Sequence, residues 1–244
     1  MRYPDAPIDS VGQLVQRLTD HLLGIDAPVW FRGQSRSGWT LVPKLLRGGR
    51  SDSEIYLINR FKQNATPLLQ QHPRNEFEWL FLMQHHSMPT RLLDWTESPL
   101  VALYFAVTEN PDEEGALWVL LPTVLNEKSG YRPDYRPEIP FFEDEHLQNY
   151  LPETVARERT SRLLPIAAIA PRNSPRMQSQ QGVFTIGHRD DTPVEDAGAL
   201  GADRDHVWKY LIPPDCKATL RDQLKVLGIT RFQLFPELDS LAQI

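Results

Sequence analysis

The sequence predicts an α+β fold in one domain spanning residues 1–244, with a central mixed or antiparallel sheet and helices near the N-terminus. Helical and strand patterns are intermixed along the chain, without the regular strand–helix alternation of a doubly wound parallel sheet. No internal repeat, low-complexity tract or linker divides the sequence. With 244 residues, the chain is long enough to bury a substantial core within a single domain.

The N-terminal part of the chain predicts a helix, a strand and a second helix. Ser10 and Gln13 form a capping-box pattern, and apolar residues then recur at helical spacing up to Gly24. Residues 29–34, VWFRGQ, are β-branched and aromatic at their start and indicate a strand that opens into a turn. A second helix is predicted over residues 52–70.

A helix, a strand and a further helix follow in the middle of the chain. Asn75 with Glu78 three residues later predicts a helix start, and this helix must end before Pro89. Residues 90–96, TRLLDWT, predict a buried strand. Ser98 then caps a helix whose first residue is a proline, which suits the first helical position.

Further strands alternate with weaker signals toward the C-terminus. Asp215 can cap a helix that continues to Leu227 and ends at Gly228. Between residues 122 and 163 the signals weaken around a short helix at 143–150, and we interpret this stretch as an insertion or a lid. The remaining strands are predicted at residues 115–121, 166–170, 182–186 and 207–212.

Composition and charge exclude several classes of protein. The net charge of −6 gives no long-range attraction for a polyanion and argues against a general DNA binder. No apolar run approaches the ~20 residues that cross a bilayer, and the N-terminus lacks the features of a secretory signal. We therefore expect a cytoplasmic protein without a membrane partner. The single cysteine, Cys216, excludes an internal disulfide framework and a cysteine-rich zinc site.

The first candidate site is the end of the first predicted strand, where Arg32, Gly33 and Gln34 follow one another. Arginine offers a rigid fork of donors that fits phosphate or carboxylate, and a neighbouring glycine lets a ligand approach the backbone. A buried arginine in an internal ion pair would show the same pattern. The motif therefore predicts either an anion site or a structural ion pair.

The second candidate site is the polar block from Gln84 to Ser98, which interrupts apolar sequence. On an extended strand Thr90, Asp94 and Thr96 point to one side and Arg91 to the other. Buried charges cost several kcal/mol unless they are paired. Arg91 therefore either has an internal acidic partner or forms the wall of a ligand site.

Two adjacent histidines in this block do not have the spacing of a metal site. His85 and His86 follow each other on a predicted helix and face different directions, and neither has a histidine four residues away. We expect no metal. His85 shares a helix face with Gln84 and is predicted to line a site or to be a hydrogen-bonded core residue.

The third candidate group lies near the C-terminus. Gln180 and Gln181 precede a glycine and a strand, and their amides can hold a substrate but are poor general bases. A turn before a strand explains the same residues equally well. Glu237 and Asp239 could take part in acid–base chemistry or stabilise a helix start.

Four segments together resemble the FRG domain, named for its Phe-Arg-Gly motif. They occur in the order of that family and extend over nearly the whole chain: WFRGQ at 30–34, HHSMPTRLLDWTESPLVALYFAV at 85–107, QQGVFTI at 180–186 and LFPELDSLAQI at 234–244.

The chain is also distantly similar to the Arg-Ser-Glu ADP-ribosyltransferases. Their aromatic-Arg-Gly strand holds the phosphate of NAD, and Arg32 matches its arginine. Thr96 and Ser98 stand where the second strand of that family carries Ser-Thr-Ser. Gln180 or Gln181 stands in the turn before the third strand, where the family has its catalytic glutamate. The sequence departs from the family pattern at the second and third positions.

The resemblance implies an ADP-ribosyltransferase-like fold that takes NAD or a related nucleotide as substrate, or an NAD glycohydrolase. In this hypothesis Arg32 grips phosphate, and Asp94 or Glu237 replaces the missing glutamate in stabilising charge on the ribose. Gln34 and Thr96 would orient the ribose and His85 would contact the base. The complete set of candidate binding residues consists of polar side chains in or beside the motifs: Gln34, Gln84, His85, Thr90, Arg91, Thr96, Ser98, Gln180 and Gln181.

ADP-ribosyltransferase-like activities commonly serve bacterial toxins or antiphage defence, with a protein, a nucleic acid or water as acceptor.

Two other hypotheses remain open. Because glutamine replaces the expected glutamate, the alternative is a non-catalytic module whose pocket binds a nucleotide, a nucleic-acid end or a protein segment. In a third interpretation the polar block is an internal ion-pair network.

Overall fold

The computed structural model describes residues 1–48, 53–131, 139–158, 160–172, 174–198, 204–237 and 240. Its strands, in chain order, are β1 (Ala6–Pro7), β2 (Trp30–Gln34), β3 (Leu92–Thr96), β4 (Gly115–Leu120), β5 (Ile166–Ala168), β6 (Gly182–Ile186) and β7 (Val207–Ile212). Its α-helices are α1 (Val11–Leu22), α2 (Glu54–Ala65), α3 (Glu76–His85), α4 (Pro99–Thr108), α5 (Pro122–Lys128), α6 (Pro152–Arg157), α7 (Pro175–Ser179), α8 (Pro214–Val226) and α9 (Arg231–Leu234). Short 3-10 helices are Thr66–Leu68, Glu145–Tyr150 and Val194–Asp196.

The described strands form one seven-stranded mixed sheet in the order β1-β7-β4-β2-β3-β6-β5. β1 runs parallel to β7, and every other neighbouring pair is antiparallel. A mixed sheet with helices packed on it agrees with the predicted combination of helices and strands. The two-residue β1 and the short helices α5, α6, α7 and α9 were not predicted, because none of them is long enough to show a clear periodicity.

Side-chain caps start three helices where the sequence predicts them. Ser10 accepts a hydrogen bond from the backbone N–H of Gln13 at 3.3 Å, at the start of α1. Asn75 accepts from the N–H of Glu78 at 2.9 Å, at the start of α3. Ser98 accepts from the N–H of Val101 at 3.4 Å, at the start of α4. Each cap satisfies one backbone donor that the first helical turn would leave unpaired.

The start of α8 differs from the prediction. Asp215 is not the N-cap, since Pro213 occupies that position and Pro214 begins the helix. Asp215 lies in the first turn instead, where a carboxylate interacts favourably with the helix dipole. The prediction of Asp215 as a cap was therefore wrong by two positions, because proline can start a helix without a side-chain cap.

The strand register divides the buried side chains into two faces. On one face, α1, α4 and α8 pack against β2, β4 and β7 around residues such as Phe31 and Tyr210. On the same face, α2 and α3 pack against β3, β5 and β6 around Phe81 and Phe184. Trp118 and other residues form a third cluster on the opposite face. The first face therefore has helices at both ends of the sheet and space between them.

The described residues between 122 and 163, predicted to be an insertion or a lid, contribute to the core. Leu125 and Leu147 are fully buried. The side chain of Asn126 donates to the carbonyl of Ala167 at 3.0 Å and accepts from its N–H at 2.7 Å, so it covers part of the free edge of β5. Residues 132–138 and 159 of this stretch lie outside the described residues.

No helix in the described ranges has both the length and the apolar character that a membrane span requires.

Candidate functional site

A cavity of about 520 Å³ occupies the space between the two groups of helices. Its floor is the sheet and its walls come from α3, α4, α7 and the chain that follows α9. The floor residues alternate along three neighbouring strands and share one face of the sheet: Phe31, Gly33, Asp94, Thr96, Gly182 and Phe184.

Separation of β2 and β3 opens this floor. β2 pairs with β4 along its whole length, but within the described strands it pairs with β3 only through Phe31 and Thr96. Beyond that point the two strands separate, and the main-chain carbonyl of Asp94 has no strand partner on the β2 side. Arg32 fills this place, because its Nη1 donates to that carbonyl at 2.5 Å. The guanidinium therefore lies in the gap between the strands.

Gly33 allows α4 to lie directly on β2. A Cβ at this position would lie 1.8 Å from the carbonyl oxygen of Ala102 and 2.6 Å from the backbone nitrogen of Ala106. Both atoms belong to the backbone of α4 and cannot move aside as a flexible side chain would. The glycine between Arg32 and Gln34 is therefore required by close packing, and it sets the position of the cavity wall.

Gly33→Ala is expected to lower the free energy of unfolding by about 3 kcal/mol, because the new methyl group must displace the helix backbone. Gly182→Ala is a matched control on the same floor, since its Cβ would have its nearest contact at 3.7 Å. Urea denaturation of both variants measures the effect. Equal stabilities for the two variants would contradict the close contact between β2 and α4.

Two buried donors at the cavity find no hydrogen-bond partner among the described residues. They are Nε of Arg32 and Nε2 of Gln34. Gln34 is 2% exposed, and its Oε1 accepts from the indole N–H of Trp118 at 2.8 Å, which orients the amide. Burial lowers the pKa of Arg32, and the charge of Asp94 opposes this effect. A buried unpaired donor is costly, and the guanidinium of Arg32, which lies in the gap between β2 and β3, is suited to bind an acceptor on a ligand.

A chain of hydrogen bonds holds the carboxylate of Asp94. Thr90 donates to Oε1 of Gln84 at 2.5 Å, and Nε2 of Gln84 donates to Oδ2 of Asp94 at 2.7 Å. Thr90 is fully buried and lies outside the cavity lining, whereas Gln84 and Asp94 line it. Three residues of the polar block therefore act together, with one carboxylate presented at the floor.

Thr96 and Ser98, two candidate residues of the second site, form hydrogen bonds that stabilise the fold. The hydroxyl of Thr96 lines the cavity, donates to the carbonyl of Gln180 at 2.6 Å and accepts from the N–H of Ser98 at 3.0 Å. Ser98 caps α4 and lies outside the lining. These bonds join the turn after β3 to the turn before β6.

The two glutamines differ in position. Gln180 lines the cavity, and its Nε2 donates to the carbonyl of Leu234 at 3.1 Å, which attaches α9 to the cavity wall. Gln181 is exposed, lies outside the lining and has a φ of +47°, in the left-handed region. The backbone conformation of Gln181 agrees with a turn before β6.

His85 ends α3 and lines the cavity. Burial, together with the positive charge of Arg176, lowers its pKa, so the imidazole is neutral at pH 7. Nε2 of His85 lies 3.7 Å from Oε1 of Glu237. Glu237 is exposed and lies beside the cavity but not in its lining, and the neighbouring Asp239 lies outside the described residues.

Arg91 lies away from the cavity. It is 1% exposed and forms an ion pair with Glu54, whose two carboxylate oxygens accept from its Nε at 3.0 and 3.1 Å. Its Nη1 donates to the carbonyl of His188 at 2.9 Å. The structure therefore places Arg91 in an internal ion pair that fastens α2 to the sheet, one of the two alternatives left open by the sequence.

Aromatic and cationic residues from distant segments complete the cavity. Phe235 lines it, with the guanidinium carbons of Arg176 and Arg231 at 4.7 and 5.4 Å from its ring centre. Trp39 lies at the cavity and is 41% exposed. The sequence patterns indicated none of these four residues. Phe235 belongs to the segment LFPELDSLAQI, in which the carboxylates of Glu237 and Asp239 indicate chemistry, whereas a single aromatic residue gives no such signal.

The described residues contain no group of three histidine, cysteine, aspartate or glutamate side chains arranged to hold a metal ion.

Comparison with known proteins gives one match. The family model of the FRG domain matches residues 27–115, a shorter range than the expected resemblance over nearly the whole chain. Comparison with curated proteins and with solved structures gave no match. The matched range includes Arg32 and Asp94, whereas Gln180 and Glu237 lie outside it. Residues 27–115 are therefore similar to the FRG domain, and this range supplies β2, α3, β3 and α4 around the cavity.

Proposed function

We propose that the cavity binds NAD and that the protein breaks the bond between nicotinamide and ribose, transferring ADP-ribose to an acceptor or to water. One observation carries the proposal: Arg32, whose guanidinium lies in the gap between β2 and β3, lines the same cavity as the oriented carboxylate of Asp94. The volume of about 520 Å³ is within the range of small-molecule sites, roughly 300–1,000 Å³.

Arg32 is proposed to bind the pyrophosphate of the dinucleotide. A guanidinium forms paired, charge-assisted hydrogen bonds with phosphate oxygens. Nη1 of Arg32 is held by the carbonyl of Asp94, which fixes the side chain, and Nε has no partner in the described part of the chain. Gln34, two residues further along the same strand, also lines the cavity.

Asp94 is proposed to stabilise the transition state. When the bond between C1′ of the ribose and the nicotinamide nitrogen breaks, its electron pair stays with nicotinamide and positive charge develops on the ribose ring. A carboxylate near that ring is stabilising, and Asp94 is already oriented by Gln84. Water, or a nucleophile of the acceptor, then forms the new bond to C1′ and releases a proton.

Other candidates suit the catalytic role less well. Gln180 carries no charge, and its amide is engaged with the carbonyl of Leu234. Glu237 is exposed at the edge of the cavity, 3.7 Å from His85. Asp94 is the acidic residue on the cavity floor, so we assign the role to it. Consumption of NAD or modification of a cellular acceptor would suit a toxin or an antiphage effector.

Arg32→Ala is expected to weaken NAD binding by about tenfold or more, because a hydrogen bond to a charged group is lost. Titration calorimetry measures binding, and chromatography measures nicotinamide release. Arg162→Ala is the matched control, since Arg162 pairs with Asp190 on the surface, away from the cavity.

Arg32→Lys is a second variant for the case in which the alanine variant misfolds. It keeps the positive charge but loses the planar guanidinium and its paired donors. It should fold, as judged by circular dichroism, and still bind NAD less tightly than the wild type. If the wild type does not bind NAD, or if folded Arg32 variants bind it as tightly as the Arg162 control, the proposal fails.

A non-catalytic nucleotide-binding module is the second candidate. It is favoured by the absence of a carboxylate at Gln180 and Gln181, the two positions that precede β6. In that case the wild type binds NAD in the calorimeter without releasing nicotinamide, even when proteins and nucleic acids are supplied as acceptors.

A further inference from the structure

Two arginines on the cavity wall are not used by the proposed function, one in α7 and the other at the start of α9. Arg176 and Arg231 both contact the ring of Phe235. Within the described ranges neither guanidinium forms an ion pair with a carboxylate. Two positive charges therefore border the same cavity as Arg32 without neutralising partners.

Stacking on Phe235 leaves the donors of these arginines available. A guanidinium stacks through its flat face, whereas its five N–H donors lie in the plane of the group. Arg176 uses one of them in a long hydrogen bond, 3.4 Å, to the carbonyl of His85. The remaining donors of Arg176 and those of Arg231 are suited to an anion, and the guanidinium carbons lie 4.7 and 5.4 Å from the centre of the same ring.

Arg32 reaches the cavity from a different element. It belongs to β2 and its Nη1 donates to the carbonyl of Asp94 in β3, whereas Arg176 belongs to α7 and Arg231 to α9. A ligand with one anionic group at Arg32 and a second at the other two arginines would pair with both.

We infer that the preferred ligand carries a phosphomonoester in addition to its pyrophosphate, so that the cavity selects NADP over NAD. The inference rests on the proposed function and names the substrate class of the same site. A phosphomonoester carries close to two negative charges at pH 7, which matches a pair of arginines. An arginine is also the residue that accommodates the 2′-phosphate of NADP in other dinucleotide sites.

Phe235 gives the inference a second support. Its ring contacts Phe105 edge-on, with ring centres 6.0 Å apart, and is half-buried at the cavity wall. An adenine ring can stack on such an aromatic and guanidinium surface. The phosphate attached to the adjoining ribose would then lie next to the two arginines.

Calorimetry with NAD and NADP tests the inference, since the two ligands differ only in the 2′-phosphate. The wild type should bind NADP at least about tenfold more tightly than NAD. Arg176→Met and Arg231→Met keep much of the contact with Phe235 but remove the charge. Each should bring the ratio of the two affinities close to one and leave the affinity for NAD nearly unchanged, whereas Arg162→Ala should preserve the ratio.

Glu237→Gln is expected to change the ratio of the affinities for NADP and NAD in the opposite direction. Glu237 lies beside the cavity, 3.7 Å from His85 and two residues after Phe235, and its negative charge opposes a phosphate bound there. Its removal should tighten NADP binding more than NAD binding. Equal affinities for NAD and NADP in the wild type, or an unchanged ratio in both methionine variants, would overturn the inference while the proposed function stands. If neither ligand binds, the proposed function itself fails.

Discussion

Asp94→Asn is expected to bind the dinucleotide almost as well as the wild type and to lower kcat by about 10²- to 10³-fold, the usual cost of one electrostatic group in a transition state. Asparagine has the same shape, and its amide oxygen can still accept the hydrogen bond that Gln84 donates at 2.7 Å. Only the negative charge is lost. Binding measured by calorimetry and nicotinamide release measured by chromatography separate the two effects.

Two further variants decide whether the carboxylate has been assigned correctly. Asp112→Asn, at an exposed position, should leave both measurements unchanged. Glu237→Gln should retain turnover, because that carboxylate lies at the edge of the cavity. If Glu237→Gln loses turnover and Asp94→Asn retains it, Glu237 is the carboxylate that stabilises the transition state and the role proposed for Asp94 is wrong.

Glu54→Gln is expected to destabilise the protein by about 3–5 kcal/mol, because it leaves the charge of Arg91 buried without its partner. Both side chains are at most 2% exposed, and the pair is reinforced by the bond from Arg91 to the carbonyl of His188. The free energy of unfolding in urea gives the measurement. Asp190→Asn breaks the surface pair with Arg162 and should change stability by at most about 1 kcal/mol.

The double variant Glu54→Leu with Arg91→Met refines this prediction. It removes both charges and should recover much of the lost stability, since apolar pairs often replace buried ion pairs without loss. A Glu54→Gln variant that is as stable as the wild type but does not bind nucleotide would show instead that Arg91 takes part in the site.

Helix starts and strand positions were predictable because they depend on residues close together in the chain. Ser10, Asn75 and Ser98 cap the helices expected from them, and WFRGQ is a strand. The failure at Asp215 arose where two signals competed, a carboxylate cap and a proline at the first turn.

The candidate site was predictable only in part. Arg32, Gln84, Asp94 and Thr96 were selected from motif and strand alternation, and the structure brings them to one cavity. Thr90 was selected with them, but it supports Gln84 from outside the lining.

By itself, the sequence determined the mixture of helices and strands, the main element boundaries and the polar residues of the two motifs that meet at the sheet. Only the tertiary structure decided that Arg91 pairs with Glu54, that Arg32 fills the gap left by β3, and that Phe235 closes the cavity with Arg176 and Arg231. The physical reason is that caps and alternation are local properties. A buried charge instead takes its partner from whichever segment the folded sheet and helices bring within hydrogen-bonding distance.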